Sequence, residues 1–376
     1  MAIWVLERFV PFIILISVIV FVHEWGHFWV ARRNGVKVVH FAIGFGKELF
    51  GWTDSKGTRW AFHLVPLGGY VQMLGDADAT SATADKDVLE TLSDSDKNQT
   101  LHSKKPWQRI LVAAGGPVSN FVFAIFAMIF LFNFYGQPIT APIISQLDPK
   151  GLAAQSGMLA NDEIVSINGN PINKFEEIIP FIRSEQYDNL NFEIKRSGNI
   201  IKVEVPLYVT DEISKQKKRA KVIGIKPGVQ SFEKMPLLSA CKEAFVSFYQ
   251  MSKMIVASLS EMLTGQRKGD EIGGILAIGD MASQSAKLGF AGMLWFMILM
   301  SVNLGLINLF PIPVLDGGQM LMNGVEWAIG RPISEFVQKI VYGAGFAFVI
   351  MLMLYSTWND LMRYQVFQMI KGWLPL

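Results

Sequence analysis

Cysteine is almost absent from this chain. Its one cysteine, Cys241, cannot form an intramolecular disulfide and so says nothing about redox compartment. A zinc site of four thiolates is excluded, and any zinc must be held by His, Asp or Glu. Charge is also scarce: Asp, Glu, Lys and Arg make up 18% of the 376 residues, against about a quarter in soluble domains. The net charge of +2 is too small to point to nucleic acid as a partner. Apolar residues fill the space, at 51% of the chain, and mean hydropathy is +0.31. This composition describes a polytopic membrane protein with an extramembrane part.

Four apolar segments are long enough to cross a membrane, roughly residues 3–31, 110–135, 289–310 and 333–355. The first has the apolar core of a signal peptide, but its length makes it a retained span. A further stretch, 236–263, carries Lys242, Glu243, Lys253 and Glu261, while Phe245, Phe248, Met251, Ile255 and Leu259 recur at helical spacing. It reads as an amphipathic helix on the membrane or against the bundle. Arg32, Arg33 and Lys37 follow the first span, and Lys104, Lys105 and Arg109 precede the second. The positive-inside rule therefore makes residues 32–107 cytoplasmic and puts both termini and 136–288 on the other side.

Inside the first apolar run stands His23-Glu24-Trp25-Gly26-His27. H-E-x-x-H on a helix puts two imidazoles one turn apart on one face, the spacing that grips one zinc ion. The intervening Glu can act on a zinc-bound water. The bland alternative is a pair of packed histidines. Two imidazoles and a carboxylate among Ile, Val and Phe would then lack partners, at high cost. The motif sits at the cytoplasmic end of its span.

Two histidines leave a catalytic zinc one protein ligand short. His40, His63 and His102 have no metal spacing and read as satisfied sheet or loop residues. Asp316 is the better candidate. It ends the third apolar span, where Pro311 and Pro313 break the helix and Gly317 and Gly318 let backbone come close. The same carboxylate also suits a cap on the helix that follows.

The loop after the first span is strand-like. Residues 36–43 lead into Gly44-Phe45-Gly46, an Asp54-Ser55-Lys56-Gly57 turn follows, and 58–65 and 66–73 complete a small sheet of hairpins. Residues 76–98 are acidic, rich in Ala, Ser and Thr, and read as a flexible connector. Residues 141–228 mix short strands with a helix. A strand there ends at Asn168-Gly169, and a hairpin turns at Ser197-Gly198-Asn199.

Taken together, HEWGH, the N-x-x-P-x-P-x-L-D-G series from Asn308 to Gly317, and Gly116-Pro117-Val118-Ser119-Asn120 make the chain resemble the site-2 protease family. These are intramembrane zinc metalloproteases of regulated intramembrane proteolysis, and the resemblance is to the bacterial RseP type over essentially the whole chain. It implies zinc (Zn2+) held by His23, His27 and Asp316, with Glu24 as general base. Asn308 would hold the substrate backbone near the scissile bond. Gly44, Phe45 and Gly46 look like the tip of a membrane-re-entrant β-loop. Gly68, Gly69, Tyr70 and Val71 look like an edge strand that clamps unwound substrate, which an exposed edge can accept as an added strand. Asn120 reads equally as catalytic support or as a packing hydrogen bond.

The segment from Asp148 to Ile164 resembles a PDZ domain, with Asn161 where the family usually has Gly. Residues 141–228 have room for one such domain, whereas relatives often carry two. The expected organisation is a polytopic α-helical membrane protein of four transmembrane helices, with a small membrane-associated β-sheet and an inserted PDZ-like α+β domain. Membrane core would occupy 1–140 and 289–376, the PDZ-like domain 141–228, and an amphipathic helix and connector 229–288. The implied home is the bacterial inner membrane, with the PDZ-like domain periplasmic. The implied partners are the lipid bilayer and single-span membrane proteins already trimmed outside, such as anti-sigma factors or remnant signal peptides. The PDZ-like domain would contact substrate or a regulator.

Overall fold

A computed structural model describes residues 2–76, 86–184, 186–210, 217–219, 222–227, 230–265 and 273–364. Two compact units share the chain: Met1–Leu131 with Leu237–Leu376, and Phe132–Pro236.

The first unit opens with helix α1 (Ala2–Arg33), which ends on Arg32 and Arg33, where cations suit the negative end of the helix dipole. Gly35 at φ +69° stops it, and the Val36 N–H returns to Ala31 O at 3.0 Å. Strands β1 (Val38–Thr53) and β2 (Arg59–Met73) follow. Residues 38–43 pair with 69–73 on one side and lie beside 59–62 on the other, while 45–53 pair with 59–65. Two strands therefore make a sheet four segments wide, with 69–73 at its edge.

Gly44 and Gly46, at φ +86° and +90°, lie where β1 reverses from the pairing of 38–43 to that of 45–53. A second reversal follows Thr53, where Asp54 Oδ1 accepts the N–H groups of Lys56 and Thr58 at 2.9 and 3.0 Å. The sheet is seated on α1 by aromatic packing. Phe41 and Trp60 stack at 4.4 Å, and Phe28 meets both edge-on. Arg32 adds hydrogen bonds to Asp54 and Thr58 at 2.6 and 2.8 Å.

The expected connector 76–98 holds two short helices, α2 (Lys86–Thr91) and α3 (Asp94–Lys97), the second capped by Ser93 Oγ. Its residues 77–85 lie outside the described ones. Helix α4 (Pro106–Phe134) then starts on a proline, whose missing N–H costs nothing in a first turn.

The second unit comprises β3 (Gln137–Thr140), β4 (Ile144–Leu147), α5 (Leu152–Gln155), β5 (Glu163–Ile167), β6 (Asn170–Pro171), α6 (Ile178–Arg183), β7 (Asn189–Arg196), β8 (Asn199–Pro206), β9 (Tyr208–Thr210), β10 (Lys217–Arg219), β11 (Ile225–Pro227) and β12 (Gln230–Glu233). One sheet has the order β6-β5-β7-β8, and β4–β11, β3–β12 and β9–β10 pair separately. Ile144, Ile164, Ile167, Ile178, Leu190, Phe192, Ile194 and Val205 form its core. The two expected turns carry positive φ at Asn168-Gly169 and Ser197-Gly198, and Asn161 adopts the left-handed backbone its short side chain tolerates. The unit is wider than 141–228 because β3 pairs with β12.

The first unit resumes with α7 (Leu237–Leu263), α8 (Ile275–Lys287), α9 (Gly289–Asn308), α10 (Asp316–Ile329) and α11 (Glu335–Arg363). Four described helices are long and apolar enough to cross a membrane: Phe9–Arg33, Pro106–Phe134, Gly289–Asn308 and Phe336–Arg363. Helix α7 is not among them. It buries Ala240, Ala244 and Met251 and leaves Phe245 and Tyr249 exposed. Helix α8 replaces the connector expected there. Its Ala282 and Ile278 pack with Phe12, Leu15 and Ile19 of α1. Its first N–H groups are capped from another helix: buried Asp360 of α11 accepts from Gly274, Leu276 and Ala277 at 2.9, 2.8 and 3.2 Å.

One ion pair with a buried carboxylate makes the second unit sensitive to acid. Burial pushes the Asp162 carboxyl up, but the Arg196 fork, with two contacts of 2.8 Å, and the Leu159 N–H outweigh it and hold Asp162 below the usual carboxylate range. A depressed folded value gives stability that is present above the unfolded value of about 3.9 and lost as pH falls through the folded one. Amide exchange of β5, β7 and β8 in the full protein should therefore stay slow to below about pH 4. In Arg196→Met, protection of these strands should already be weaker at neutral pH, because a buried carboxylate has lost its partner.

Candidate metal centre

The site begins with two helices in backbone contact. A Cβ on Gly26 of α1 would fall 2.1 Å from Gly115 O of α4, and one on Gly115 would fall 2.7 Å from Gly26 O. Only glycine on both sides permits this crossing, the kind of small-residue packing that joins helices in lipid. Ser119 Oγ reinforces it by donating to Val22 O at 2.7 Å. The next residue, Gly116, is thereby laid against both histidine rings. A Cβ there would stand 2.3 Å from His27 Nε2 and 2.7 Å from His23 Nε2.

The third wall is the loop between α9 and α10. Asp316 is the first residue of α10 and turns its carboxylate to the histidines. No side chain caps this helix, so the capping alternative does not describe it. The loop lies tight against the helix start, and Cβ atoms on Gly317 and Gly318 would each come within 2.3 Å of a loop carbonyl. Val314 is held at φ +97°, a conformation a β-branched residue rarely adopts, at a cost of about 1–3 kcal/mol.

Three side chains converge from these walls. His23 Nε2 lies 3.2 Å from His27 Nε2 and 3.1 Å from Asp316 Oδ2, and His27 Nε2 lies 3.4 Å from Asp316 Oδ1. Zinc with bonds of about 2.0–2.1 Å has ligand atoms about 3.3 Å apart at the corners of a tetrahedron, so the three separations fit. Asp316 Oδ2 is buried without a hydrogen-bond partner, as an oxygen reserved for a cation would be. His27 Nδ1 donates to Val112 O at 2.8 Å, which leaves Nε2 with its lone pair toward the cluster. Among the described residues, this is the group of His, Cys, Asp or Glu side chains close enough to share a metal ion.

A cavity of about 210 Å³ opens onto the cluster. Glu24, Asn308, Gly69, Val71, Leu101 and Gln319 are among the residues that line it, together with the three ligand candidates. A Cβ on Gly69 would meet Glu24 Cγ at 3.3 Å, so the sheet edge runs directly past the glutamate. Of the residues expected to touch substrate, Asn308, Gly69 and Val71 reach this cavity. Gly44, Phe45, Gly46, Gly68 and Tyr70 do not line it. Phe45 stacks on Tyr70 at 6.2 Å and is half exposed. Sequence reasoning missed the part of Gly116. The visible signal was Pro117, a proline inside an apolar span, with no N–H for the carbonyl of Ala113, another cavity residue.

Apolar spans surrounding a two-histidine, one-carboxylate cluster with a glutamate beside it define a membrane-embedded metallohydrolase. The family described as Peptidase family M50 matches residues 11–352, and the chain belongs to that family, the zinc-dependent site-2 protease type. Its relatives agree. A Rhizobium meliloti protein whose name assigns it provisionally to the zinc metalloproteases is 36% identical, over 93% of this chain and 95% of that one. Metalloprotease MmpA of Caulobacter vibrioides is 33% identical over 96% and 97%. Regulator of sigma-E protease RseP of Salmonella typhimurium is 29% identical over 96% and 99%.

The packing of Gly116 predicts the effect of one methyl group. Gly116→Ala should leave the helix content of the purified protein near native. It should reduce bound zinc, measured by elemental analysis, from about one per chain to a small fraction of that, since one protein site holds one structural or catalytic ion.

Proposed function

We propose that the protein is an intramembrane endopeptidase that cuts transmembrane segments of membrane proteins already trimmed on the outer side. The observation that carries this reading is the placing of His23, His27, Asp316 and Glu24 on one cavity at the ends of apolar spans. His23, His27 and Asp316 hold the zinc. Bound there, zinc supplies a water whose pKa is near neutral and polarises the scissile carbonyl. Glu24 takes a proton from the attacking water and returns it to the leaving amine nitrogen. Asn308, at the end of α9, holds the substrate backbone by its amide.

A transmembrane helix hides its peptide bonds in its own hydrogen bonds and must unwind before it can be cut. Residues 69–73 at the sheet edge offer the unwound segment a strand to pair with, beside Glu24. The aromatic and aliphatic residues exposed on the same sheet, Leu49, Phe50, Trp52 and Leu64, favour its seating in lipid. The basic residues around α1 and α4 support a cytoplasmic side of the bacterial inner membrane for the sheet and the metal cluster, and with it a periplasmic 132–236 unit.

That unit acts as a PDZ-like module. A groove of about 610 Å³, lined by Phe175, Ile178, Ile182, Ile223, Ile225 and Arg183 among others, suits an extended peptide from a substrate or regulator. Anti-sigma factors are one substrate class of this reading, in keeping with a relative named Regulator of sigma-E protease, and remnant signal peptides are another.

The test is cleavage of a single-span model substrate by the purified zinc-loaded protein in detergent. Glu24→Gln should keep zinc and lose at least about 100-fold in cleavage rate, the lower end of what a general base contributes. Undiminished cleavage by Glu24→Gln would remove Glu24 from the mechanism. No cleavage by the native form on several substrates, with zinc bound, would sink the endopeptidase reading.

A further inference from the structure

His23 is held from behind as well as from the metal side. Its Nδ1 lies 3.2 Å from the side-chain nitrogen of Asn120, a fully buried residue of α4. The other amide atom, Asn120 Oδ1, is buried with no hydrogen-bond partner. Buried amide oxygens are seldom left so.

The tautomer of His23 decides which amide atom must face its ring. A neutral imidazole that offers the Nε2 lone pair to a metal carries its proton on Nδ1, and that N–H needs an acceptor. His27 already follows the rule, with Nδ1 donating to Val112 O. For His23 the neighbouring group is an NH2, which cannot accept. A half-turn of the Asn120 amide exchanges its oxygen and nitrogen, which differ little in shape. The oxygen then receives the Nδ1–H of His23, and the NH2 takes the position that has no hydrogen-bond partner.

We propose that Asn120 is a positioning residue for the metal centre. With zinc bound, its side-chain oxygen accepts the Nδ1–H of His23, fixing the ring with Nε2 toward the ion. Asn120 is itself anchored from a third helix, since buried Ser301 Oγ of α9 donates to its backbone oxygen at 3.0 Å. The ligands of α1 are thus steadied by α4 at two points, Val112 O for His27 and Asn120 for His23. The inference rests on His23 being a zinc ligand.

The experiment is a chelator competition for zinc with the full-length protein in detergent, alongside the visible absorption spectrum after cobalt replacement. The variants are Asn120→Leu, Asn120→Asp and His23→Ala. Loss of an outer partner of a ligating histidine weakens metal binding by about 10- to 100-fold, the drop expected for Asn120→Leu. Asn120→Asp, which can only accept, should stay within about 3-fold of native, with an unchanged cobalt spectrum, because carboxylates are the usual partners of zinc-bound histidine. A 10-fold or greater loss in Asn120→Asp would overturn the proposal by showing that the NH2 is the working group, and this arm decides the matter even if the Leu variant fails to fold. Native affinity in Asn120→Leu would overturn it by showing that Asn120 only packs. Native zinc affinity in His23→Ala would instead bring down the ligand assignment on which the inference stands.

Discussion

The contact of Gly26 with Gly115 sets the distance between α1 and α4, and most of the site depends on that distance. Lipid gives two apolar helices no hydrophobic reason to associate, so close packing and hydrogen bonds must hold them. Here the packing is backbone on backbone, with a hydroxyl from Ser119 bridging to Val22 O. Because the helices touch at this point, Gly116 lies on the imidazoles and Val112 O and Asn120 lie within reach of their outer nitrogens. Any side chain at the crossing would move all of these partners together.

The carboxylate arrives by a different route. Asp316 follows a loop whose prolines end α9 and whose Val314 sits in a rare backbone conformation. That conformation persists only because its surroundings enforce it. Gly317 and Gly318 press the loop onto the start of α10, and Gly345 of α11 packs against Pro313. At the far end of α10, buried Glu326 pairs with Arg109 of α4 at 2.5 Å. The helix that presents Asp316 is thus fixed at both ends, which limits how far the carboxylate can drift from the histidines.

Much of this was legible in the sequence where the chemistry is local. The HEWGH spacing places two imidazoles on one helical face whatever surrounds them, and long apolar runs mark the four helices. The loop prolines and glycines near Asp316 also have local meanings. What escaped the sequence reading depends on long-range contact. Helix α8 looked like a connector because its 13 residues include Gly279, Ser283 and Ser285, which are poor helix formers. It is a helix because α1 buries one of its faces and Asp360, more than 80 residues away, caps its start. Gly116 reads as one more glycine in a span until α1 is placed against it. The sheet was half legible for a related reason: its turns are local, but its two strands pair three ways, and that width depends on distant contacts.

The cluster draws its nitrogens from residue numbers in the twenties and its oxygen from number 316, with the whole of the 132–236 unit between them. During synthesis the histidines therefore enter the membrane long before their third companion exists. A chain still being made, or one cut short before α10, has two imidazoles and no complete claw. With the proposed ligand set, a metalloprotease of this family would thereby be inert until nearly all of it has been built.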